Sequence, residues 1–411
     1  MGIGRPYVED RDLPALTRMW REVGWIDRDD DNDALGLREF LTAAPTLVAD
    51  VRGEAECAVS RSTGSIRHED TDLPLCIVAA VTTSHVGRRQ GLASQLVAET
   101  LGVGAEAGAA VAALGMFDQG FYDRFGFGTC GYEHRLTFDP ASLRVPVPEE
   151  PPVRLSVDDA AEMHALLVRR ERGHGSVVVD PVEEFRAELR WLEDPFALGY
   201  RAPDGRLTSF VAGSAKDEYG PYEVEWMAYE ESAGLLDLLG LLRALGDQVG
   251  SVILNAEPVE IQLQDLLETP MRARRALRRS GATEVAHEAF AEQQIRIVDL
   301  RACVEAVRLH TPTVVFGLRL TDALADVPGT PWPGIGGEYT VRFGPESKLI
   351  EGFEPGLPVL DASVNAFSRL WMGERPASSL ALTDLLDGPA DLLRQLDASL
   401  RFPRPFAGWT F

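Results

Sequence analysis

The sequence predicts an α/β protein of three domains. Segments of strand and helix character alternate over residues 1–145, and a similar alternation recurs over residues 146–292. The length of 411 residues is too great for one ordinary hydrophobic core. A composition of 45% hydrophobic and 25% charged residues is typical of a soluble globular protein.

In the first domain, residues 1–145, alternating strands and helices follow an opening helix. An apolar run at Cys76–Ser84 has strand composition, and the helix predicted after it repeats Leu92, Leu96, Val97 and Leu101 at helical spacing. A second buried strand is predicted at Ala109–Phe117, and a short helix with a glycine-rich turn at Gly120–Gly128. The opening helix is PALTRMWREVG, and two further strands are predicted in TLVADVRGEAECAVS.

The second domain, residues 146–292, repeats this plan. A proline-rich stretch, RVPVPEEPPV, has four prolines in ten residues and predicts a semi-rigid linker near residue 145. After it come an opening helix, a strand, a helix and a strand, in RLSVDDAAEMHALLVRRE, YEVEWMAYE, SAGLLDLLGLLRALGDQVG and SVILNA. We therefore expect one fold to occur twice.

The third domain, residues 293–411, differs from the first two. A boundary near residue 292 is predicted because FAEQQIRIVDLRACVEAVRL indicates a new strand followed by a new amphipathic helix. The segments TVVFGLRLTDAL, EYTVRFG and PVLDASVNAFSRLWMGE then predict a small sheet with helices, which ends on LTDLLDGPADLLRQLDASL.

Charge and hydropathy limit the partners that we expect. No apolar run reaches the roughly 18 to 20 residues of a membrane span, and the N-terminal residues lack a signal-peptide pattern, so we expect a cytoplasmic protein. The net charge of −24 would repel nucleic acid and anionic membranes and attract cationic ligands. The same charge is equally consistent with solubility alone.

Metal and disulfide chemistry are not expected. The four cysteines are scattered, with no C-x-x-C pair and no histidine at metal-ligand spacing, and the seven histidines are equally dispersed. We expect Cys57, Cys76, Cys130 and Cys303 to be small buried hydrophobic residues.

The strand-to-helix junction after Val81 predicts an anion site. Between Leu73 and Ala98 there is no acidic residue, and the only charged side chains are Arg88 and Arg89. Small residues follow them at the predicted start of a helix, where the backbone N–H groups have no internal partner and the helix dipole favours negative charge. Such a junction could hold a pyrophosphate.

The second domain differs at the corresponding junction. There the sequence has Glu230 and Glu231 before the helix, in place of two arginines. Because carboxylates would repel a pyrophosphate, we expect this domain to have lost the cofactor and to serve as scaffold or pocket wall.

Two motifs resemble those of a known family. The spacing R-x-x-G-x-A, at Arg88, Gly91 and Ala93, resembles the acetyl-CoA signature of the GNAT superfamily of N-acetyltransferases. The stretch Y-x-R-F-G-x-G, at Tyr122–Gly128, and the three-part layout are similar to the Eis family of GNAT enzymes. The resemblance implies an active N-terminal GNAT domain, a degenerate central one and a C-terminal domain like sterol carrier proteins, with similarity at Ser363–Leu380, and a homohexamer.

The resemblance also implies a cofactor and a site. The pantetheine arm of acetyl-CoA would lie along the strand predicted at Cys76–Ser84, and its pyrophosphate would lie at the start of the helix after that strand. The cofactor would extend to the end of the second buried strand, at Ala109–Phe117. The expected cofactor-binding residues are Val81, Thr82, Thr83, Arg88, Arg89, Gln90, Gly91, Leu92, Ala93, Ser94, Phe117 and Asp118.

Amine acetylation needs an acid and a base. An alkylamine has a pKa of about 10.4, so freeing its lone pair at pH 7 costs roughly 4 to 5 kcal/mol, and the departing thiolate needs a proton. Tyr122 is the candidate acid, although its spacing also fits an aromatic side chain packed in a turn. By resemblance, the base is the terminal carboxylate of Phe411. Thr410 lacks the acidic side chain that some relatives have there.

These features predict an N-acetyltransferase for primary amines of cationic small molecules, such as aminoglycosides or polyamines. The acids of Asp27–Asp33 could attract a polycation or could form a solvated loop. A protein or peptide lysine N-acetyltransferase stays open as an alternative, as does a non-catalytic module that binds CoA or lipid.

Overall fold

The computed structural model describes residues 2–27, 30–268, 285–327, 330 and 332–409. Within these ranges the helices are α1 Glu9–Glu22, α2 Asp31–Ala43, α3 Leu92–Glu106, α4 Gln119–Asp123, α5 Ala160–Arg169, α6 Val182–Arg190, α7 Ser232–Ala244, α8 Leu300–Ala306, α9 Val364–Trp371, α10 Ala377–Thr383 and α11 Ala390–Ser399.

The strands are β1 Arg5–Pro6, β2 Thr46–Val51, β3 Glu54–His68, β4 Thr71–Thr83, β5 Val111–Gly115, β6 Gly128–Thr129, β7 Glu133–Phe138, β8 Val153–Arg154, β9 Val177–Val179, β10 Pro195–Arg201, β11 Leu207–Ala215, β12 Tyr222–Tyr229, β13 Val252–Leu254, β14 Ala286–Phe290, β15 Gln293–Ile297, β16 Val314–Thr321, β17 Gly337–Phe343, β18 Lys348–Glu351, β19 Val359–Ser363 and β20 Leu386–Asp387.

The strands in the described ranges form three sheets, and with the helices they confirm the predicted α/β class. The first has the order β1-β2-β3-β4-β5-β15-β6, with β9 on the far part of β3. The second has the order β14-β7-β13-β12-β11-β10-β8, and the third β18-β17-β16-β19-β20.

The first two sheets repeat one plan, as the sequence predicted. In each, a strand, a helix and a parallel strand follow one another: β4-α3-β5 in the first and β12-α7-β13 in the second. Each also has a register irregularity on the preceding antiparallel pair, near Ala58 in β3 and near Ala212 in β11. We call each sheet with the helices packed on it a unit, numbered in the order of the three sheets. The first two units therefore share both topology and a local bulge.

The two sheets also exchange strands. β15 lies between β5 and β6 in the first sheet, although it follows residue 292, and β7 pairs with β13 in the second sheet, although it precedes residue 145. The boundaries at 145 and 292 stay a prediction, but these hydrogen-bonded strands cross both of them. The exchange fixes the first two units against each other.

The helix α3 packs closely on the first sheet. Leu96, Val97 and Leu101 are buried, which confirms the predicted apolar face. A Cβ atom on Gly104 would lie 2.7 Å from the sulfur of Cys76, so only glycine permits this approach. The close packing holds the C-terminal part of α3 against the middle of β4.

The proline-rich stretch is less separate than predicted. Val145 is buried in the core of the second unit, and the carbonyl oxygen of Pro146 lies 2.2 Å from the place that a Cβ of Gly240 would occupy. The linker therefore packs against α7, since the helix presents a glycine there.

The third unit surrounds its five-stranded sheet with α9, α10 and α11. Phe367 and Trp371 of α9 are buried in a core that continues into the other units. The similarity to sterol carrier proteins stays a prediction.

Cysteine burial follows the sequence expectation. Three cysteines are buried and Cys130 is half-buried, all as free thiols. Within the described ranges, no three acidic, histidine or cysteine side chains are grouped to hold a metal. None of the helices placed there is long and apolar enough to cross a membrane.

Candidate active site

The candidate cofactor site lies where β4 continues past its pairing with β5. Their parallel pairing covers only Leu75–Ile77 against Val111–Ala113, whereas β4 continues to Thr83. Ala80 has a φ of 48°, a left-handed conformation that is strained for a residue with a side chain. The predicted pantetheine-binding residues at Val81–Thr83 therefore lie beyond the last pairing with β5.

The side chains of these residues are engaged within the protein. The Thr82 hydroxyl donates to the Ala80 carbonyl at 3.0 Å, and the Thr83 hydroxyl lies 3.2 Å from the Cys57 sulfur. A ligand beside this strand would therefore meet main-chain groups, and pantetheine binding at Val81–Thr83 stays a prediction.

The N-terminus of α3 has the shape of an anion cradle. Gly91 caps the helix with a φ of 75°, and a Cβ built there meets no atom within 4 Å. Arg89, two residues earlier, also has a left-handed φ of 62°. The first-turn amides of Leu92, Ala93 and Ser94 precede the first carbonyl acceptors of the helix, so they are available to a phosphate oxygen.

The two arginines of this loop are exposed. No ion pair of Arg88 or Arg89 occurs among the residues that the structure describes. Gln90, by contrast, donates its side-chain amide to the Val86 carbonyl at 2.8 Å, which leaves it a structural role in the loop. The unneutralised guanidinium groups and the open helix start fit an acetyl-CoA pyrophosphate.

Hydrogen bonds to α1, to β3 and within the loop itself hold the loop before α3. The Ser84 hydroxyl accepts from the Gly87 amide at 3.0 Å, and the Ser84 amide donates to the Glu56 carbonyl at 3.0 Å. The Glu22 carboxylate accepts from the His85 amide at 2.9 Å. These contacts hold the cradle in one position.

Tyr122 lies in α4 with its side chain 2% exposed. Its ring has edge contacts with Phe121 and Phe127, with ring centres 4.9 and 6.3 Å apart. Burial, with a smaller effect of the Asp118 carboxylate, raises the pKa of the Tyr122 phenol. The phenol is therefore fully protonated at neutral pH, as a proton donor must be.

Phe117 and Asp118 lie beside this tyrosine. Phe117 is 73% exposed and contacts the Tyr122 ring edge-on with ring centres 5.7 Å apart. The Asp118 carboxylate caps α4 by accepting from the Phe121 amide at 3.2 Å. The exposed phenylalanine is free to contact a ligand, whereas Asp118 has a local structural role.

A cavity of about 240 Å³ lies between the second unit and the C-terminal segment. Four carboxylates and four large aromatic rings contribute to its wall: Glu133, Glu171, Glu225, Glu260, Trp226, Tyr229, Phe406 and Trp409. Gln293 connects the cavity to the first sheet, because its amide donates to Glu133 at 3.0 Å and its strand partner is Gly115 at the end of β5.

Carboxylates continue from the cavity toward β3, where Glu184 is buried and accepts from the Ser62 hydroxyl. We call Glu133, Glu184, Glu188, Glu225 and Glu292 the acidic row. The charge of Glu292 raises the pKa of Glu133 and of Glu225, and the charges of Glu184 and Glu225 raise that of Glu188, in each case after the larger effect of burial. Burial, with Glu292, raises the pKa of Glu133 to about 7, and burial raises that of Glu184 to about 7. Burial, with Glu184 and Glu225, raises the pKa of Glu188 to about 8.

Sequence reasoning missed the acidic row. Its members come from four separate segments, and only the fold brings them together. One signal was present, since Glu223 and Glu225 alternate with Val224 and Trp226 in β12 and therefore lie on the same face of the strand. A charged residue inside such a strand needs a partner or a role.

The C-terminal segment enters this region. The Ala407 carbonyl accepts from the Val177 amide at 2.9 Å, and the Gly408 carbonyl accepts from the Arg170 guanidinium at 3.0 Å. Trp409 is buried, and its carbonyl accepts from the Gln293 amide at 3.4 Å. The predicted base at Phe411 and its neighbour Thr410 lie outside the described residues.

The second unit lacks the cradle at the corresponding junction. Glu230 accepts from both Arg169 and Arg206, and these arginines hold the pKa of its carboxyl below the ordinary value against the effect of burial. The junction is therefore closed by an ion-pair cluster, which agrees with loss of the cofactor there.

The acid-rich loop before α2 borders a second, wider groove of about 1170 Å³. Asp30 caps α2 by accepting from the Asn32 amide, so this carboxylate has a structural role. Asp27 and Asp33 line the groove together with Trp191 and Glu193. They stay candidates for contact with a cationic ligand.

Comparison with known proteins agrees with this geometry. Residues 7–130 match the family model described as an acetyltransferase (GNAT) domain. No curated protein sequence matches the chain significantly.

Several solved structures share the fold over the whole chain. A probable N-acyltransferase from Enterococcus faecalis V583 is 17% identical, with complete coverage of both chains and a TM-score of 0.80. Eis1 from Mycobacterium abscessus is 20% identical, with 98% of each chain covered and a TM-score of 0.75. A GCN5-related N-acetyltransferase from Kribbella flavida is 20% identical, covers 100% of this chain and 99% of its own, and has a TM-score of 0.74. The protein is therefore an acyltransferase with a GNAT acetyltransferase domain, and over its whole length it shares its fold with Eis1.

Proposed function

We propose that the protein transfers the acetyl group of acetyl-CoA directly to a primary amine of a cationic small molecule. The observation that carries this proposal is the acidic cavity, which Gln293 links to the end of β5. Its carboxylates would bind ammonium groups, and its tryptophan and tyrosine rings would contact cations over their faces.

The proposed catalytic roles follow from the end of β4, the start of α3 and the turn that carries Tyr122. Main-chain groups of Val81 and Thr83 orient the thioester, and the start of α3 with Arg88 holds the pyrophosphate. As the amine attacks the carbonyl carbon and the carbon–sulfur bond breaks, Tyr122 gives its phenolic proton to the departing sulfur. It then regains a proton from solvent.

Phe411 stays our proposed base. Trp409 lies at Gln293, whose strand partner ends β5, and two further residues span at most about 7 Å. A terminal carboxylate at residue 411 would then take the proton that the amine loses. The anchored segment before it supports this proposal.

The cavity favours small amines over lysines of folded proteins. Its wall includes Phe406, Gly408 and Trp409 of the C-terminal segment together with the second unit, and its volume of about 240 Å³ suits a small ligand. Assembly as a hexamer stays a prediction, which sedimentation velocity of the full chain would test.

The proposed function can be tested by steady-state acetylation of polyamines, aminoglycosides and lysine-containing peptides. We expect turnover of the free polycations, a large loss of kcat in Tyr122→Phe, and a loss of kcat when three glycines follow Phe411. Phe353→Tyr, a change of one hydroxyl in the third unit, is the control.

Turnover of peptides alone would favour a protein acetyltransferase, and CoA binding without turnover would favour a binding module. An unchanged kcat in the extended chain would exclude the terminal base.

A further inference from the structure

The turn that carries Tyr122 is held by the third unit. The side-chain amide nitrogen of Asn365 donates to the Asp123 carbonyl at 2.7 Å and to the Phe127 carbonyl at 2.6 Å. Asp123 follows Tyr122 directly, and the Phe127 ring contacts the Tyr122 ring. One side chain in α9 therefore binds the turn at two points, at Asp123 directly after Tyr122 and at Phe127 four residues later.

The position of Asn365 is itself fixed. The Ser363 hydroxyl caps α9 by accepting from the Ala366 amide at 3.2 Å, and the Ser363 amide donates to the Leu385 carbonyl at 2.8 Å. The Asn365 carbonyl oxygen lies 2.5 Å from the place that a Cβ of Gly128 would occupy. The start of α9 is thus packed directly against the turn.

Two further side chains hold the same turn. Gln294 in β15 donates to the Asp123 carboxylate at 2.8 Å. Arg296 in β15 donates to the Phe125 carbonyl and, at 2.7 Å, to the Asp322 carboxylate of the third unit. Both side chains of that ion pair are buried, so its geometry is tightly defined.

We propose that Asn365 is a positioning residue that fixes Tyr122 for proton transfer to the departing thiolate. The third unit then contributes to catalysis through the acid, independently of any role of the C-terminal segment. The inference rests on the proposed role of Tyr122. Its physical basis is that each amide hydrogen of Asn365 has one carbonyl acceptor, so the turn cannot shift without breaking a hydrogen bond. A misplacement near 1 Å at a reacting group can cost about a hundredfold in rate.

A double-mutant cycle distinguishes positioning from general stability. Asn365→Leu keeps the side-chain size and removes both donors, and we expect it to lower kcat about tenfold or more with the KM for acetyl-CoA within twofold of wild type. In a Tyr122→Phe background, the same change should lower kcat by less than twofold. Asn365→Gln, which keeps the amide, should lose less activity than Asn365→Leu. Tyr339→Phe, which removes a hydrogen bond to the Ile335 carbonyl inside the third unit, is the control.

The outcomes separate the two proposals. A lowered kcat in Tyr122→Phe with an unchanged kcat in Asn365→Leu would overturn the positioning role alone. Equal losses from Asn365→Leu in both backgrounds would show a general structural effect and would also overturn it. An unchanged kcat in Tyr122→Phe would overturn the proposed acid and the positioning role together. If Asn365→Leu does not fold, Asn365→Ser, which leaves room for a water molecule at the two carbonyls, goes through the same cycle.

Discussion

Ser62 donates a hydrogen bond to the carboxylate of Glu184, although the two residues belong to different units. Among the described residues, the second carboxylate oxygen of Glu184 is buried without a hydrogen-bond partner. Burial raises the pKa of Glu184 to about 7, so the side chain is partly neutral at physiological pH. The acidic row therefore begins at a carboxyl group that can take up either a proton or a cation.

The first prediction concerns stability. The pKa of Glu188 is raised to about 8 in the folded protein, chiefly by burial and then by Glu184 and Glu225. The folded state consequently retains a proton that the unfolded chain releases near pH 4.5. The stabilising contribution is fully present below that pH and is lost as pH rises through about 8.

Glu188→Gln removes this titration. We expect its Tm to exceed that of wild type by roughly 1–3 °C at pH 8.5 and to match it near pH 5, as measured by differential scanning fluorimetry. Glu338→Gln, an exposed change of equal charge in the third unit, should leave the pH dependence of Tm unchanged. If the difference in Tm between Glu188→Gln and wild type is the same at pH 5 and pH 8.5, Glu188 does not titrate in this range.

The second prediction concerns the amine. Below about pH 7, Glu133 and Glu184 are largely protonated and attract a cation weakly, whereas above it they are charged. An alkylamine stays cationic up to a pH of about 10. We therefore expect the KM for a polyamine to fall several-fold between pH 6 and pH 8, while the KM for acetyl-CoA stays constant. A polyamine KM that rises over this interval would exclude binding by these carboxylates.

The third prediction concerns the anion cradle. Arg88→Gln and Arg89→Gln remove charges that have no ion-pair partner among the described residues. Each change should raise the KM for acetyl-CoA about three- to tenfold and leave the KM for the amine unchanged. The effect should shrink at high ionic strength, because salt screens exposed charges. Arg401→Gln, on the surface of the third unit, is the matched control, and an equal rise in that variant would indicate a non-specific effect of net charge.

The sequence predicted the parts of this protein that depend on local patterns. The strand at Cys76–Ser84, the helix after it and the glycine that begins the helix are all signalled by neighbouring residues. The exchange of β7 and β15 could not be predicted in this way, because strand pairing across more than a hundred residues has no local signature. The contact of Asn365 with the Tyr122 turn and the acidic row could not be predicted for the same reason, because their residues meet only in the folded chain.

The last prediction concerns the anchor of the C-terminal segment. The Trp409 ring lies against His164 and Phe185 with ring centres 5.6 and 6.1 Å away, and the Arg170 guanidinium lies 5.8 Å from its centre. Burying an aromatic side chain stabilises by about 1.5–3 kcal/mol, enough to offset the backbone entropy of ordering one or two terminal residues. Trp409→Ala should therefore release the segment and lower kcat at least tenfold.

The control for this change lies in the same segment. Phe406→Ala removes a half-buried ring three residues earlier, and we expect a smaller loss of kcat because Arg170 still holds the Ala407 and Gly408 carbonyls. Both variants should keep the wild-type KM for acetyl-CoA, since the cradle at α3 is untouched. Limited proteolysis should cleave the C-terminal segment faster in Trp409→Ala than in wild type. An unchanged kcat in a variant with a released segment would show that the segment takes no part in catalysis.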